Sequence, residues 1–175
     1  MKVLVIIDAQ VDFVTGTLAN VAAQAAIPSI KKRIEEARDN HEMVIFTQDT
    51  HMEDYMNTLE GKKLPVEHCI YQTEGWEIVE ELRDEAALCV LKPTFGSLDL
   101  IDRIVGFRNA FNKDVEIELC GFCTDICVVS NALLLRAAMP NARITVNGGL
   151  CAGTTKENHD AALAVMRSCQ IDVIE

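Results

Sequence analysis

Residues 3–7, Val3-Leu4-Val5-Ile6-Ile7, run without a polar break until Asp8. Apolar side chains on successive rather than alternate residues mark a strand buried on both faces, the situation of a parallel sheet covered by helices on either side. Similar short runs, rich in β-branched residues, follow at Met43–Thr47, Ala87–Leu91, Val115–Leu119 and Arg143–Val146, with a sixth at Ile171–Ile174. The stretches between them have helical spacing. Ala22–Asn40 places Ala26, Ile27, Ile30 and Ile34 at steps of one to four residues on one side, with Lys31, Lys32, Arg33 and Glu35 between. Trp76–Asp84, Leu98–Gly106, Asp125–Met139 and Thr155–Ser168 read as helices on the same ground. Thr154 or Thr155 is the expected N-cap of the last, with Glu157 and Asp160 in its first turn. Parallel strands need crossovers, and crossovers are right-handed. The alternation therefore predicts an α/β protein: a three-layer α/β/α sandwich around a mostly parallel six-stranded sheet, Rossmann-like, in one domain over residues 1–175. One segment stands apart, the long polar connection from Gln48 to Glu74, and connections of that length in compact domains are commonly functional.

Composition narrows the function. The 175 residues carry 16 Lys+Arg against 27 Asp+Glu, a formal charge of −11, which excludes a general nucleic-acid surface. No apolar run approaches the roughly 20 residues that span a bilayer, so no membrane partner is expected. The apolar run Val3–Ile7 before Asp8, five residues long, is short for a signal peptide. The seven cysteines, odd in number and irregularly spaced, are accordingly expected reduced in a cytoplasm.

Open parallel sheets bind ligands at the carboxyl ends of their strands. Asp8 follows the first predicted strand, Asp49 and His51 the second, Lys92 the third, and Cys120-Gly121-Phe122-Cys123-Thr124-Asp125-Ile126-Cys127 the fourth. An acid, a metal-type pair, a cation and several thiols thus converge on one edge. Cys127 falls in the first turn of a predicted helix, where free N–H groups favour negative charge and can form an oxyanion hole. Lys92 would add a cation and Asp8 a proton acceptor; alternatively Cys127 is a small buried hydrophobe like Cys89 or Cys169. Cys120-x-x-Cys123-x-x-x-Cys127 also has spacing compatible with iron–sulfur or dithiol chemistry, although no fourth cysteine lies nearby. Asp49, His51 and His68 offer a carboxylate and two imidazoles to a Zn²⁺, Mn²⁺ or Fe²⁺ ion, or are solvated loop residues. No G-x-G-x-x-G follows the first strand, which disfavours dinucleotide binding, and Gly148–Gly153 reads as a strand-to-helix loop. His159 reads as a structural residue of the last helix.

Five elements in order resemble the nicotinamidases and pyrazinamidases of the isochorismatase-like cysteine hydrolase superfamily. They are Asp8-Ala9-Gln10-Val11-Asp12-Phe13, Thr47-Gln48-Asp49-Thr50-His51, Pro65-Val66-Glu67-His68-Cys69 with Thr73-Glu74-Gly75, Lys92, and Gly121-Phe122-Cys123-Thr124-Asp125-Ile126-Cys127-Val128. The resemblance implies cleavage of a small amide, nicotinamide foremost, through a cysteine thioester. Asp8, Lys92 and Cys127 would be the catalytic triad. A cis peptide at Phe122–Cys123 would bring the backbone N–H groups of Cys123 and Cys127 together as the oxyanion hole. Asp49, His51 and His68 would bind a divalent metal, Zn²⁺ first and Mn²⁺ or Fe²⁺ next, that anchors the pyridine ring, and Phe13 would pack on that ring. The chain departs from the pattern in three places. Val14-Thr15-Gly16-Thr17 replaces a Gly-Gly; the further histidine that many nicotinamidases carry shortly after D-x-H is missing from Tyr55-Met56-Asn57-Thr58-Leu59-Glu60, and since some relatives use a Glu slightly later, the resemblance makes Glu60 the expected fourth ligand and Asn57 the second choice; and Leu64 stands at an aromatic position, leaving Phe95 to supply the ring face. A carbamoyl or ureido amidase and a non-catalytic binding protein on the same scaffold are the competing readings. The apolar faces of the Cys127 helix (Val128, Val129, Leu133, Leu134, Leu135) are also compatible with a homo-oligomer.

Overall fold

A computed structural model describes residues 1–112 and 114–175. Six strands form one sheet in the order β3-β2-β1-β4-β5-β6, every pairing parallel. They are β1 (Lys2–Ile7), β2 (Met43–Asp49), β3 (Leu88–Lys92), β4 (Glu116–Phe122), β5 (Arg143–Ala152) and β6 (Asp172–Ile174). The α-helices are α1 (Val11–Val14), α2 (Val21–Asp39), α3 (Leu59–Lys63), α4 (Leu98–Phe111), α5 (Val129–Ala138) and α6 (Lys156–Ser168). No helix among the described residues is long and apolar enough to cross a membrane.

Five successive buried side chains, Val3 to Ile7, put β1 at the centre of the sheet, which is what their unbroken apolarity demands. From β1 the chain moves to β2 on one side and later returns by α4 to β4 on the other. Right-handed crossovers then place α2 on one face and α4, α5 and α6 on the opposite face. The order reverses between β1 and β4, so a crevice opens at their carboxyl ends. Gly121, paired beside Ile7, sits at φ +114°, and a Cβ there would collide with the Ile7 backbone. Only glycine lets β4 lie this close to β1 at the crevice.

Caps fix the helices that flank the crevice. The Asn20 side chain accepts from the N–H groups of Ala22 and Ala23 at the start of α2, and Thr155, the nearer of the two expected residues, caps α6 by accepting from Asn158.

Three local expectations are corrected. Trp76–Asp84 is not a helix: it holds two short 3₁₀ turns, Glu74–Trp76 and Glu80–Leu82. Between them the backbone is recruited by the end of β1, with Val11 N–H donating to Glu77 and Val79 N–H to Ala9. Gly148–Ala152 is strand rather than loop, since β5 continues to Ala152 past an irregularity in its register with β4. A Cβ on Gly148 would press on Leu163 and the Ile174 carbonyl, so the glycine marks close packing. The helix expected from Asp125 begins as a wide π turn, Thr124–Val128, before α5.

Candidate active site

Asp8, Asp49 and Lys92 stand at the ends of β1, β2 and β3, and Cys127 in the π turn after β4. Asp8 leaves β1 with a left-handed backbone (φ 46°) and is fully buried. Thr47 of β2 donates its hydroxyl to Asp8 Oδ1 at 2.6 Å. The other oxygen, Oδ2, lies 2.7 Å from Lys92 Nζ, and beyond that charge contact it has no directed hydrogen bond among the described residues. Lys92, the last residue of β3, is itself fully buried. Its ammonium also reaches Asp49 Oδ1 at 3.1 Å, the Thr94 carbonyl at 3.2 Å and Cys127 Sγ at 3.4 Å. One buried cation from the end of β3 thus joins two carboxylates from the ends of β1 and β2 and a thiol from the turn after β4.

The charges are mutually dependent. Burial works against the Lys92 charge, but Asp8, Cys127 and Asp49 outweigh it and hold the ammonium well above its usual 10.5. Burial pushes the Asp8 carboxyl up from 3.8; Lys92 opposes the shift and Asp49 adds to it. Burial, then the charge of Asp8, keeps the Cys127 thiol well above 9.0 despite Lys92. The helix start and the lysine favour a thiolate, whereas desolvation and the charge of Asp8 oppose it and push the thiol up.

The π turn explains what surrounds Sγ. The Cys123 carbonyl accepts from Ile126 and Val128, three and five residues on, and skips the N–H of Cys127 between them. One surplus residue in the turn withdraws that N–H from the i→i+4 ladder. The Phe122–Cys123 peptide is cis. Asn131, buried in α5, donates to the Cys127 carbonyl at 2.8 Å and to that of Phe95 at 3.1 Å, fixing the turn from behind.

Beside this group, Asp49, His51, Glu60 and His68 each offer one ligand atom, all within 4.8 Å of one another. His51 Nε2 lies 3.0 Å from Asp49 Oδ2 and 3.8 Å from Glu60 Oε1; His68 Nε2 lies 3.6 and 3.9 Å from the same two atoms. A tetrahedral ion bonded at about 2.0–2.1 Å separates its ligand atoms by about 3.3 Å. The spacing and the two-imidazole, two-carboxylate donor set therefore fit Zn²⁺ or a similar divalent ion. His68 Nδ1 lies 2.8 Å from the Val66 carbonyl, a contact that leaves Nε2 facing the cluster. Burial raises the Asp49 carboxyl, but hydrogen bonds from His51 and His68 and the charge of Lys92 carry it well below the usual carboxylate range. Burial and then Asp49 push the Glu60 carboxyl up. Asn57, the second choice, is exposed. Cys120 is buried within β4 and Cys89 exposed in β3, all seven cysteines are free, and no cysteine joins a metal-type cluster among the described residues.

Both groups open into a cleft of about 740 Å³ lined by Phe13, Leu64, Phe95, Cys123, Ile126 and Cys127 among others. Phe13 is buried and meets the His68 ring edge-on at 5.7 Å between centroids. Phe95 is 41% exposed at the rim. His159 Nδ1 lies 2.8 Å from the Thr124 hydroxyl. Three supporting residues were not singled out from sequence. Gln10 clamps the Asp49 peptide, accepting its N–H at 2.7 Å and donating to its carbonyl at 2.8 Å. Thr47 orients Asp8. Tyr55, fully buried, packs on both imidazoles at 4.7 and 5.1 Å and donates to the Leu64 carbonyl. Gln10 and Thr47 stand inside the quoted motifs, whereas nothing in the sequence around Tyr55 signals its burial.

The sequence profile described as the Isochorismatase domain matches residues 2–175. The chain belongs to the isochorismatase family. It is 26% identical over 188 residues to the nicotinamidase/pyrazinamidase of Mycobacterium tuberculosis, covering 99% of this chain and 98% of that one. It superposes on the nicotinamidase/pyrazinamidase of Bacillus subtilis with a TM-score of 0.85 at 25% identity, covering 99% of both chains. The pyrazinamidase of Pyrococcus horikoshii, solved in complex with zinc, shares the fold with a TM-score of 0.85 at 24% identity, over 99% of this chain and 98% of that one. The protein is a hydrolase of this family.

Proposed function

We propose that this protein is an amidohydrolase that converts nicotinamide to nicotinate and ammonia through a thioester on Cys127. The observation that carries the reading is the placement of Lys92 Nζ 2.7 Å from Asp8 Oδ2 and 3.4 Å from Cys127 Sγ, on a cleft shared with the four-residue donor cluster. Asp8, ionised beside Lys92, takes the thiol proton, and Lys92 stabilises the thiolate as it forms. The sulfur attacks the carboxamide carbon. The N–H groups of Cys123 and Cys127 receive the negative oxygen, a contribution of about 3–4 kcal/mol per donor. Asp8 returns the proton to the nitrogen, which departs as ammonia rather than as the far poorer amide anion. A water then gives its proton to Asp8 and attacks the thioester, releasing the acid and restoring the thiol.

Asp49, His51, Glu60 and His68 would hold the metal, which when bound supplies a Lewis-acid anchor for the pyridine nitrogen. Phe13 packs against the ring, and Phe95 and Leu64 exclude water at the rim. Ammonia release measured from nicotinamide, pyrazinamide and linear carbamoyl amides, with and without chelator, tests the reading. Chelator-sensitive turnover of the ring amides is expected. Turnover confined to linear amides would replace the substrate assignment, and a Cys127→Ala variant that keeps wild-type turnover and metal content would remove the nucleophile.

A further inference from the structure

Asp12 belongs to the first motif, yet the chemistry above assigns it no role. Its carboxylate is buried next to no cation among the described ion pairs. It accepts instead from two backbone N–H groups on separate loops, Cys69 to Oδ2 at 2.7 Å and Thr17 to Oδ1 at 3.0 Å, while the Asp12 carbonyl accepts from Leu18 at 2.8 Å. Gly16 and Gly75 crowd the same carboxylate so closely that a Cβ on either would collide with it. Cys69 directly follows His68 and holds a left-handed backbone, φ 48°. Its carbonyl accepts from the His51 N–H at 3.0 Å, and the His51 carbonyl accepts from Tyr71 at 2.8 Å. The two peptide groups flanking Cys69 are therefore fixed from both sides, by the helix that carries Phe13 and by the segment that carries His51.

We infer that Asp12 is a positioning residue that sets the His68 imidazole for metal and ties the metal loop to the ring-packing helix α1. The inference rests on the metal reading above. A neutral isostere cannot replace the carboxylate here, because an asparagine has one acceptor oxygen and its NH₂ would face one of the two N–H donors.

Zinc affinity, measured by competition with a chromophoric chelator on wild type and Asp12→Asn, tests it. The iodoacetamide reaction of Cys127 and the KM and kcat for nicotinamide are measured alongside. Asp12→Asn is expected to bind zinc about 10–100-fold more weakly, the usual effect of losing a group that orients a ligand. KM should rise more than kcat falls, and Cys127 alkylation should stay within about twofold of wild type. If Asp12→Asn does not fold, Gly75→Ala, which displaces the carboxylate without removing its charge, is held to the same criteria. Equal zinc affinity in wild type and variant overturns the inference alone, as does a parallel loss of zinc affinity and thiol reactivity, which would mean general loosening. A wild-type protein that binds no zinc overturns the metal reading and this inference together.

Discussion

Replacing Lys92 by methionine keeps the length of the side chain and deletes the one cation among Asp8, Asp49 and Cys127. Asp8 Oδ2 at 2.7 Å and Asp49 Oδ1 at 3.1 Å would then face each other across a buried space without a counter-charge. Removing one partner of a buried ion pair costs about 3–5 kcal/mol, mostly the desolvation of the charge left behind. For a chain of this size each kcal/mol moves the melting temperature by about 2–4 °C, so Lys92→Met should melt about 6–20 °C below wild type in metal-free buffer. Adding Asp8→Asn removes the stranded charge and should recover a large part of that loss. Ammonia release should remain abolished in both variants, because neither can form the thiolate beside a cation. Thermal unfolding by circular dichroism, run on all three proteins, gives the comparison. A Lys92→Met protein melting within about 2 °C of wild type, or a double variant less stable than the single one, would refute the account of three mutually dependent buried charges.

Two further outcomes are expected. Asp8 works only when ionised, and burial has raised its pKa, so activity should fall on acidification with a midpoint above the ordinary 3.8. Lys92, held well above 10.5, should contribute no loss between that midpoint and neutral pH. An acid limb of kcat/KM centred at or below 3.8 would contradict the burial argument. For stability the signs differ: Asp8, raised, favours the fold below its ordinary pKa and loses that contribution as pH rises through the shifted one, whereas Asp49, lowered, favours the fold above 3.8 and loses it as pH falls. The second outcome concerns His51→Ala, which should lose both metal and most turnover, measured by elemental analysis and ammonia release; full activity without metal would remove the ring-anchoring role.

The sheet was legible because a strand buried on both faces must be apolar at nearly every position, and Val3–Ile7 and Met43–Thr47 satisfy that without ambiguity. Trp76, Ile78, Val79 and Leu82 misled because their spacing matches a helix, while their backbone is taken up by the end of β1, a long-range demand that no local period records. Gly148 and Gly149 misled in the opposite direction, since a glycine that permits close packing is written with the same letter as one that turns a loop. The convergence of Asp8, Asp49, Lys92 and Cys127 followed from their places just after predicted parallel strands. The π turn did not, for it depends on one residue more than a regular turn and carries no compositional mark. Glu60 was reachable only through the resemblance, as a Glu slightly later than a missing histidine; in the fold it lies in α3, which Thr58 caps by accepting from Gly61, and it faces the two imidazoles.

The residues around the sulfur are drawn from positions 8, 49, 92 and 127, so a chain emerging in order from its N-terminus holds the acid and the amine long before the thiol. Cys127 meets its proton acceptor and its counter-ion only when β4 closes against β1. The complete group therefore belongs to the paired sheet and to no single segment of the chain: every strand from β1 to β4 must be in register before acid, amine and sulfur share one space.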